Sequence, residues 1–186
     1  QEQLTPDFND YELIDTGDFE KLERFGRYVT RRPEPQAIWR RTLAEEEWRR
    51  TADASFRRDA RSDERGEWRL APGMPDRWAV EYAYKRMRLR MRLGLTSFKH
   101  VGIFPEQAAN WNFIYDSCRA LAGGEPSGGE RVAEFGSSVA GGGAPKVLNL
   151  FAYTGGATLA ARAAGAEVTH VDSVRQVVTW SRENME

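Results

Sequence analysis

The sequence predicts an α/β protein: a β-rich N-terminal region followed by the first β-α-β-α of a parallel, doubly wound unit that is truncated there. Three observations carry this. The first third and the stretch after Glu67 read as short strands punctuated by Gly and Pro. A Gly/Ser-rich tract then separates two stretches of different character. From Lys146 the pattern becomes a continuous apolar run, a glycine turn, an alanine-rich helix and a second strand ending in an acid. The boundaries fall at 1–98 for the β-rich region, 99–121 for a connecting segment and helix, 122–145 for a linker and 146–186 for the parallel unit.

In chain order, "QEQLTPDFND" is a polar lead-in and "YELIDTG" a strand ending in a Gly turn. "KLERFGRYVTRR" continues with mixed alternation, and "PEPQAIWRR" is a further short strand punctuated by Pro33 and Pro35. "TLAEEEWRRTADASFRR" is predicted as a helix, with Thr42 as N-cap and Glu45 as capping-box partner. "EWRL", "RWAVEYAY" and "KRMRLRMRL" are strands, the last two forming one long bent strand or a hairpin. A helix from about Pro105 to Leu121 follows from the spacing of Ala108, Trp111, Ile114 or Tyr115, and Cys118, with Pro105 suited to its first turn. "KVLNLF" has the composition of a buried parallel strand, "ATLAARAAGA" is a helix closed by Gly165, "EVTHVD" is the second strand and "SVRQVVTWSRENME" begins the second helix.

Composition narrows the function classes. The 186 residues are 40% hydrophobic, enough for a buried core. The net charge of −1 hides basic clusters at Arg24 to Arg32, Arg57 to Arg61 and Lys85 to Arg92, so whole-chain charge says little about partners. A single cysteine, Cys118, excludes an internal disulfide and a cysteine metal cage and fits a cytoplasmic protein. Two histidines, His100 and His170, argue against zinc, and no metal is expected. No 18-residue apolar run occurs, so no membrane partner is expected.

A parallel βαβ unit with a glycine-rich first turn and an acid closing its second strand places a ligand over the carboxyl ends of the strands. Gly155 and Gly156 permit close backbone approach, and the next helix N-terminus offers unpaired N–H groups. Asp172, 17 residues beyond Gly155, lies where a carboxylate accepts both hydroxyl hydrogens of a ribose. These features point to an adenosine-containing cofactor. "YTGGATLA" lacks the G-x-G-x-x-G spacing of a dinucleotide site, and no P-loop motif occurs. S-adenosyl-L-methionine remains, since it needs ribose recognition and a backbone turn but no pyrophosphate cradle.

"FKHVGIFPEQAANW", "KVLNLFAYTGGATLAARAAGAEVTHVD" and "WSREN" together resemble the class I S-adenosylmethionine-dependent methyltransferases related to the large-subunit ribosomal RNA methyltransferases. The resemblance runs from about Tyr11 to the last residue. It implies a Rossmann-like methyltransferase domain behind a smaller β-rich region, with RNA, ribosomal RNA first, as the partner. Carried over by position, Phe151, Tyr153, Thr154, Gly155 and Gly156 form the cofactor turn, and Asp172 with Ser173 holds the ribose. His100 and Gln107 approach the cofactor from the preceding segment. The family more often has Ala-Ser where this chain has Ser173-Val174. Its Asp-Pro-Pro-type segment, which borders the methyl group and target base, is absent. The chain therefore resembles the N-terminal portion of a longer enzyme, expected to be inactive by itself, and its catalytic residues are unknown.

Plainer roles stand beside these. Asp172 is also a competent N-cap for the following helix. His100 after a strand is by default structural. Trp111 and Phe113 are expected in the core rather than as a base-stacking pair. Glu45, Glu46 and Glu47 read as a solvated helix face, and Cys118 as an apolar helix position rather than a nucleophile. Arg86, Arg88, Arg90 and Arg92 alternate with Met87, Leu89, Met91 and Leu93. They form either a solvated strand face, paired with Glu67 or Glu81, or a row of RNA-phosphate contacts spaced about 6.5 to 7 Å apart. Three functions stay open: methyl transfer to RNA, methyl transfer to a small molecule or protein, and non-catalytic binding of RNA or a partner.

Overall fold

A computed structural model describes residues 6–59, 65–123 and 143–186. The predicted linker at 122–145 therefore lies largely outside the described residues. The chain divides into two units, one comprising residues 7–82 and 90–105, the other residues 1–6, 83–89 and 106–186.

The first unit is built on a five-stranded sheet in the order β1-β2-β3-β4-β5. Strands β1 (Tyr11–Gly17), β2 (Glu20–Phe25) and β3 (Tyr28–Pro33) form an antiparallel meander. Its hairpins turn at Asp18 and Phe19, both with positive φ, and at Gly26 (φ 63°). Helix α1 (Glu45–Thr51) then carries the chain to β4 (Ala54–Arg58), which lies parallel to β3, and β5 (Gly66–Leu70) pairs antiparallel with β4.

Two sequence expectations give way here. The helix predicted through Arg58 stops at Thr51, because Ala54 and Phe56 are buried as alternate residues of β4 and Phe56 meets the Trp68 ring edge-on. Local propensity yields to non-local pairing. Thr42 is not the N-cap: that position is Ala44, which makes no side-chain cap. Pro33 ends β3 and residues 34–41 form no strand; Pro35 lacks the N–H group a ladder needs.

The segment leading into α1 is held instead by Asp15. Its carboxylate accepts hydrogen bonds from the backbone N–H groups of Thr16, Thr42 and Leu43 and from Trp48 Nε1. Trp48, fully buried, packs with Leu22 and Val29 beneath the sheet. A second buried acid, Glu23, is held bidentately by Arg32 at 2.6 and 3.1 Å and receives the Tyr11 hydroxyl. Burial alone would raise both carboxyl pKa values. For Asp15 the bonds from Leu43, Trp48, Thr42 and Thr16 outweigh burial, and for Glu23 the Arg32 guanidinium does, so both lie below the usual range.

Strands β6 (Arg77–Tyr84) and β7 (Met87–Gly94) form a hairpin. Lys85, with φ 50°, makes the turn where the sequence left a bent strand or a hairpin open. Along β7, Met87, Leu89, Met91 and Leu93 are buried and the intervening arginines exposed, so the period-two reading of this strand holds.

In the second unit, helix α2 (Ala108–Leu121) follows a 3₁₀ turn at Pro105–Gln107. It buries Ala108, Trp111, Tyr115 and Cys118, while Phe113, expected in the core, is 59% exposed because it falls outside that stripe. The hairpin tip is fastened to α2 through Asp116, which accepts the Tyr84 hydroxyl and the Lys85 ammonium at 2.7–2.8 Å. Strands β8 (Lys146–Leu150) and β9 (Glu167–Val171) pair in parallel, with α3 (Gly156–Ala163) between them in sequence and α4 (Arg175–Met185) after them. Helix α3 ends on Gly165 (φ 91°): Gly165 N–H donates to Arg162 O and Ala166 N–H to Ala161 O, a Schellman pair.

Asp15→Ala leaves three backbone N–H groups and a buried indole without an acceptor. It is expected to lower unfolding free energy by about 3 kcal/mol at pH 7, measured by urea denaturation with tryptophan fluorescence. A depressed carboxylate contributes stability that is present above its unfolded pKa, about 3.9, and lost as pH falls through its folded value. The difference between wild type and variant is therefore expected to shrink below pH 4.

Candidate functional site

The parallel register pairs Leu150 with Val171, and Ala152 N–H extends the ladder by donating to Val171 O. Between the end of β8 and the start of α3 the backbone makes an unusual turn. Phe151, Tyr153 and Gly155 have φ values of 56°, 50° and 100°. Left-handed backbone costs bulky residues about 1–3 kcal/mol each, and such strain gathers at ligand clamps.

Asp172 holds this turn in place. Its Oδ2 accepts the Tyr153 N–H and its Oδ1 the Val174 N–H, both at 2.9 Å. The bond to Val174 spans two residues and is an Asx turn, so Asp172 does not occupy the N-cap of α4; Val174 does, without a side-chain cap. The bonds from Val174 and Tyr153, in that order, hold the Asp172 carboxyl below the usual range. An ionised carboxylate has about four lone-pair positions, and these two bonds leave acceptor capacity on both oxygens.

Packing requires glycine at 156, and the backbone favours it at 155, where φ is 100° and an added Cβ would make only ordinary contacts. A Cβ on Gly156 would lie 2.8–2.9 Å from the Trp111 indole, and one on Gly155 3.5 Å from Ser181 Cβ and 3.7 Å from His170 Cε1. The sides their missing Cβ atoms would occupy are filled by α2, α4 and β9. What the turn retains for a ligand is backbone: Leu159 N–H makes the first intrahelical bond to Gly155 O, and no side chain caps the first turn of α3.

The structure thus gathers Phe151, Tyr153, Thr154, Gly155, Gly156 and Asp172 at one end of one βαβ unit. Phe151 is 92% exposed, Thr154 is buried and Ser173 is exposed next to Asp172. Gln107 is the N-cap residue of α2, exposed, with its Oε1 accepting from Asn110 Nδ2 at 2.8 Å. His100 belongs to the first unit, where its ring meets Phe104 edge-on. Arg86, Arg88, Arg90 and Arg92 are all exposed. Arg88 Nη1 donates to the Lys85 and Met87 carbonyls, and neither Glu67 nor Glu81 makes an ion pair with Arg86, Arg88 or Arg90. Cys118 is buried in α2, and burial pushes its thiol pKa up, which suits an apolar position.

Four residues that sequence reasoning did not nominate serve the turn. Trp111 covers Gly156, Ser181 covers Gly155, and buried Asn184 donates from Nδ2 to Thr154 O at 2.9 Å. Thr158 ties α3 to both strands through Asn149 and His170. The motif "WSREN" carries Ser181 and Asn184, so their signal lay in the sequence without a visible reason.

No protein-family model and no curated protein matches the chain. Solved structures do. An S-adenosylmethionine-dependent methyltransferase from Agrobacterium tumefaciens is 36% identical over 95% of this chain and 48% of its own, with a TM-score of 0.73. The chain shares the fold of S-adenosylmethionine-dependent methyltransferases. A Streptococcus mutans protein described as such a methyltransferase aligns over 97% of this chain and 43% of its own (14% identity, TM-score 0.57). So does a structure described as a methyltransferase complexed with SAH, over 97% and 42% (15% identity, TM-score 0.57). The chain spans about half the length of these methyltransferases. Among the described residues, no helix is long and apolar enough to cross a membrane.

Gly156→Ala is expected to displace the Trp111 indole and the start of α3. The cost is about 1–3 kcal/mol of stability, measured by thermal denaturation, and the added Trp111→Phe, which removes the pyrrole edge at the clash, is expected to recover part of it.

Proposed function

We propose that the chain is the cofactor-binding part of an S-adenosylmethionine-dependent methyltransferase acting on RNA, ribosomal RNA first. The observation that carries the cofactor reading is the strained turn after β8 fixed to an ionised Asp172. The 36% identity to the Agrobacterium methyltransferase over nearly the whole chain supports it. The residues present suit the group. Asp172 keeps acceptor capacity for a ribose diol, with Ser173 beside it. The backbone N–H groups of the turn and of the first turn of α3 suit polar cofactor atoms. The left-handed backbone at Phe151 and Tyr153 sets where their side chains project along that face.

When bound, the cofactor supplies a methyl group on a sulfonium, activated for displacement, so what a protein adds is positioning and electrostatics. In this chain Asp172 orients the ribose, the turn fixes the backbone donors, and Trp111, Ser181 and Asn184 hold the turn rigid from behind. No residue of the chain is assigned a catalytic step. Methyl transfer to a small molecule or protein uses the same cofactor site. What favours RNA is the row Arg88, Arg90 and Arg92, exposed along β7 at about 6.5–7 Å intervals, close to the spacing of successive phosphates, with Arg86 exposed in the hairpin turn before them.

Two measurements test the two halves of this reading. In calorimetry, wild type is expected to bind S-adenosylmethionine and S-adenosylhomocysteine, with Asp172→Ala weakening both by about 10- to 100-fold, the worth of one or two charge-assisted hydrogen bonds. Wild-type protein that bound neither would refute the cofactor assignment. In RNA titrations against salt, Arg88→Glu with Arg90→Glu is expected to weaken binding and flatten the log–log salt slope by about 1.5. An unchanged slope would return the stripe to a solvated face.

A further inference from the structure

Beneath the cofactor turn lies a polar group that the proposed function does not use. Asn149 on β8 and His170 on β9 stand opposite each other in register and both reach Thr158 of α3. Asn149 Nδ2 donates to Thr158 Oγ1 at 2.9 Å, and Thr158 Oγ1 lies 2.9 Å from His170 Nδ1. The direction of the second contact follows the tautomer: with the ring proton on Nε2 the Thr158 hydroxyl donates to Nδ1, and with it on Nδ1 the hydroxyl accepts. Nε2 is buried and makes no hydrogen bond of ordinary geometry, while the adjoining Cε1 faces Gly155. The ring is therefore wedged between α3 and the inner side of the turn.

We propose that His170 is a positioning residue for this turn and makes its occupancy depend on pH: neutral His170 supports the turn, and protonated His170 sets a positive charge beneath it that disfavours the cationic S-adenosylmethionine more than uncharged-sulfur S-adenosylhomocysteine. This rests on the cofactor reading above. The groups around the ring compensate its charge only in part. Asn149, Thr158 and Ser181 are neutral, and the Asp172 carboxylate and the Tyr153 backbone favour the charge less than burial opposes it. Burial lowers the His170 pKa, with Asp172 and the Tyr153 backbone opposing it. The charge therefore develops below the ordinary range near 6.5.

The test is the ratio of the two ligands' affinities, because a general loosening of the turn weakens both together and leaves the ratio unchanged. In wild type the preference for S-adenosylmethionine is expected to fall about tenfold between pH 8 and pH 5, the scale of a unit charge acting through partly screened protein. His170→Gln, neutral throughout, is expected to abolish that fall, and Thr158→Ser to keep it. By linkage, NMR titration of the His170 ring is expected to move to lower pH on adding S-adenosylmethionine and to move less with S-adenosylhomocysteine. If both ligands bind at pH 8 but their ratio is pH-independent, or falls equally in His170→Gln, the His170 assignment is overturned and the cofactor reading stands. If neither binds at pH 8, both are overturned.

Discussion

The Asp172 carboxylate, at the end of β9, ties down a turn that strain alone would release. Left-handed backbone at Phe151 and Tyr153 costs about 1–3 kcal/mol at each residue. A hydrogen bond from a backbone N–H to an ionised carboxylate returns about 1.5–3 kcal/mol, so the bond from Tyr153 is of the size needed to hold its own residue. The second bond, from Val174, fixes where the same carboxylate points. Position of the turn, ionisation of the acid and entry into α4 are thus one coupled choice, made where a parallel sheet places ligands.

Around that tie, the neighbouring elements remove the remaining freedom. Trp111 of α2 and Ser181 of α4 close over the two glycines, and Asn184 fastens the Thr154 carbonyl. The glycine pair looks from sequence like an open cradle for a cofactor. In the structure the missing side chain of Gly156 makes room for the Trp111 indole, Gly155 serves a left-handed step of the turn, and the backbone amides are what remains on offer. The exposed Phe151 at 92% is the counterpart: an aromatic residue whose backbone is strained and whose ring has gained no burial in exchange.

The first unit handles buried charge in the same way. Asp15 and Glu23 are both nearly inaccessible and both ionised, and each is surrounded by donors: three amides and an indole for Asp15, a bidentate guanidinium and a phenol for Glu23. Unpaired, such groups would destabilise the sheet by several kcal/mol; paired, they specify which loop meets which strand. Asp15 fixes residues 42–43 and the Trp48 indole against β1, which sets where α1 lies against the strand.

By itself the sequence determined the elements whose signal is local. The strict alternation of β7, the 3.6-residue stripe of α2, the Gly165 stop of α3 and the existence of the two parallel strands each follow from periodicity or backbone chemistry within one segment, although the apolar run of β8 predicted burial and its Leu148 and Leu150 are exposed. That the glycine turn and Asp172 meet was legible for the same reason, since their spacing reflects a single βαβ connection. What only the tertiary structure decided depends on partners distant in sequence. Residues 54–58 became a strand because β3 and β5 flank them, against their own helical pattern. Phe113 faces outward although its neighbours face in. The Asn149–Thr158–His170 contact joins two strands and a helix, and Asn184 lies 30 positions from the carbonyl that it holds. Periodicity records which face of an element is buried; it does not record which atom of another element will lie against it, and that pairing is fixed when the chain packs.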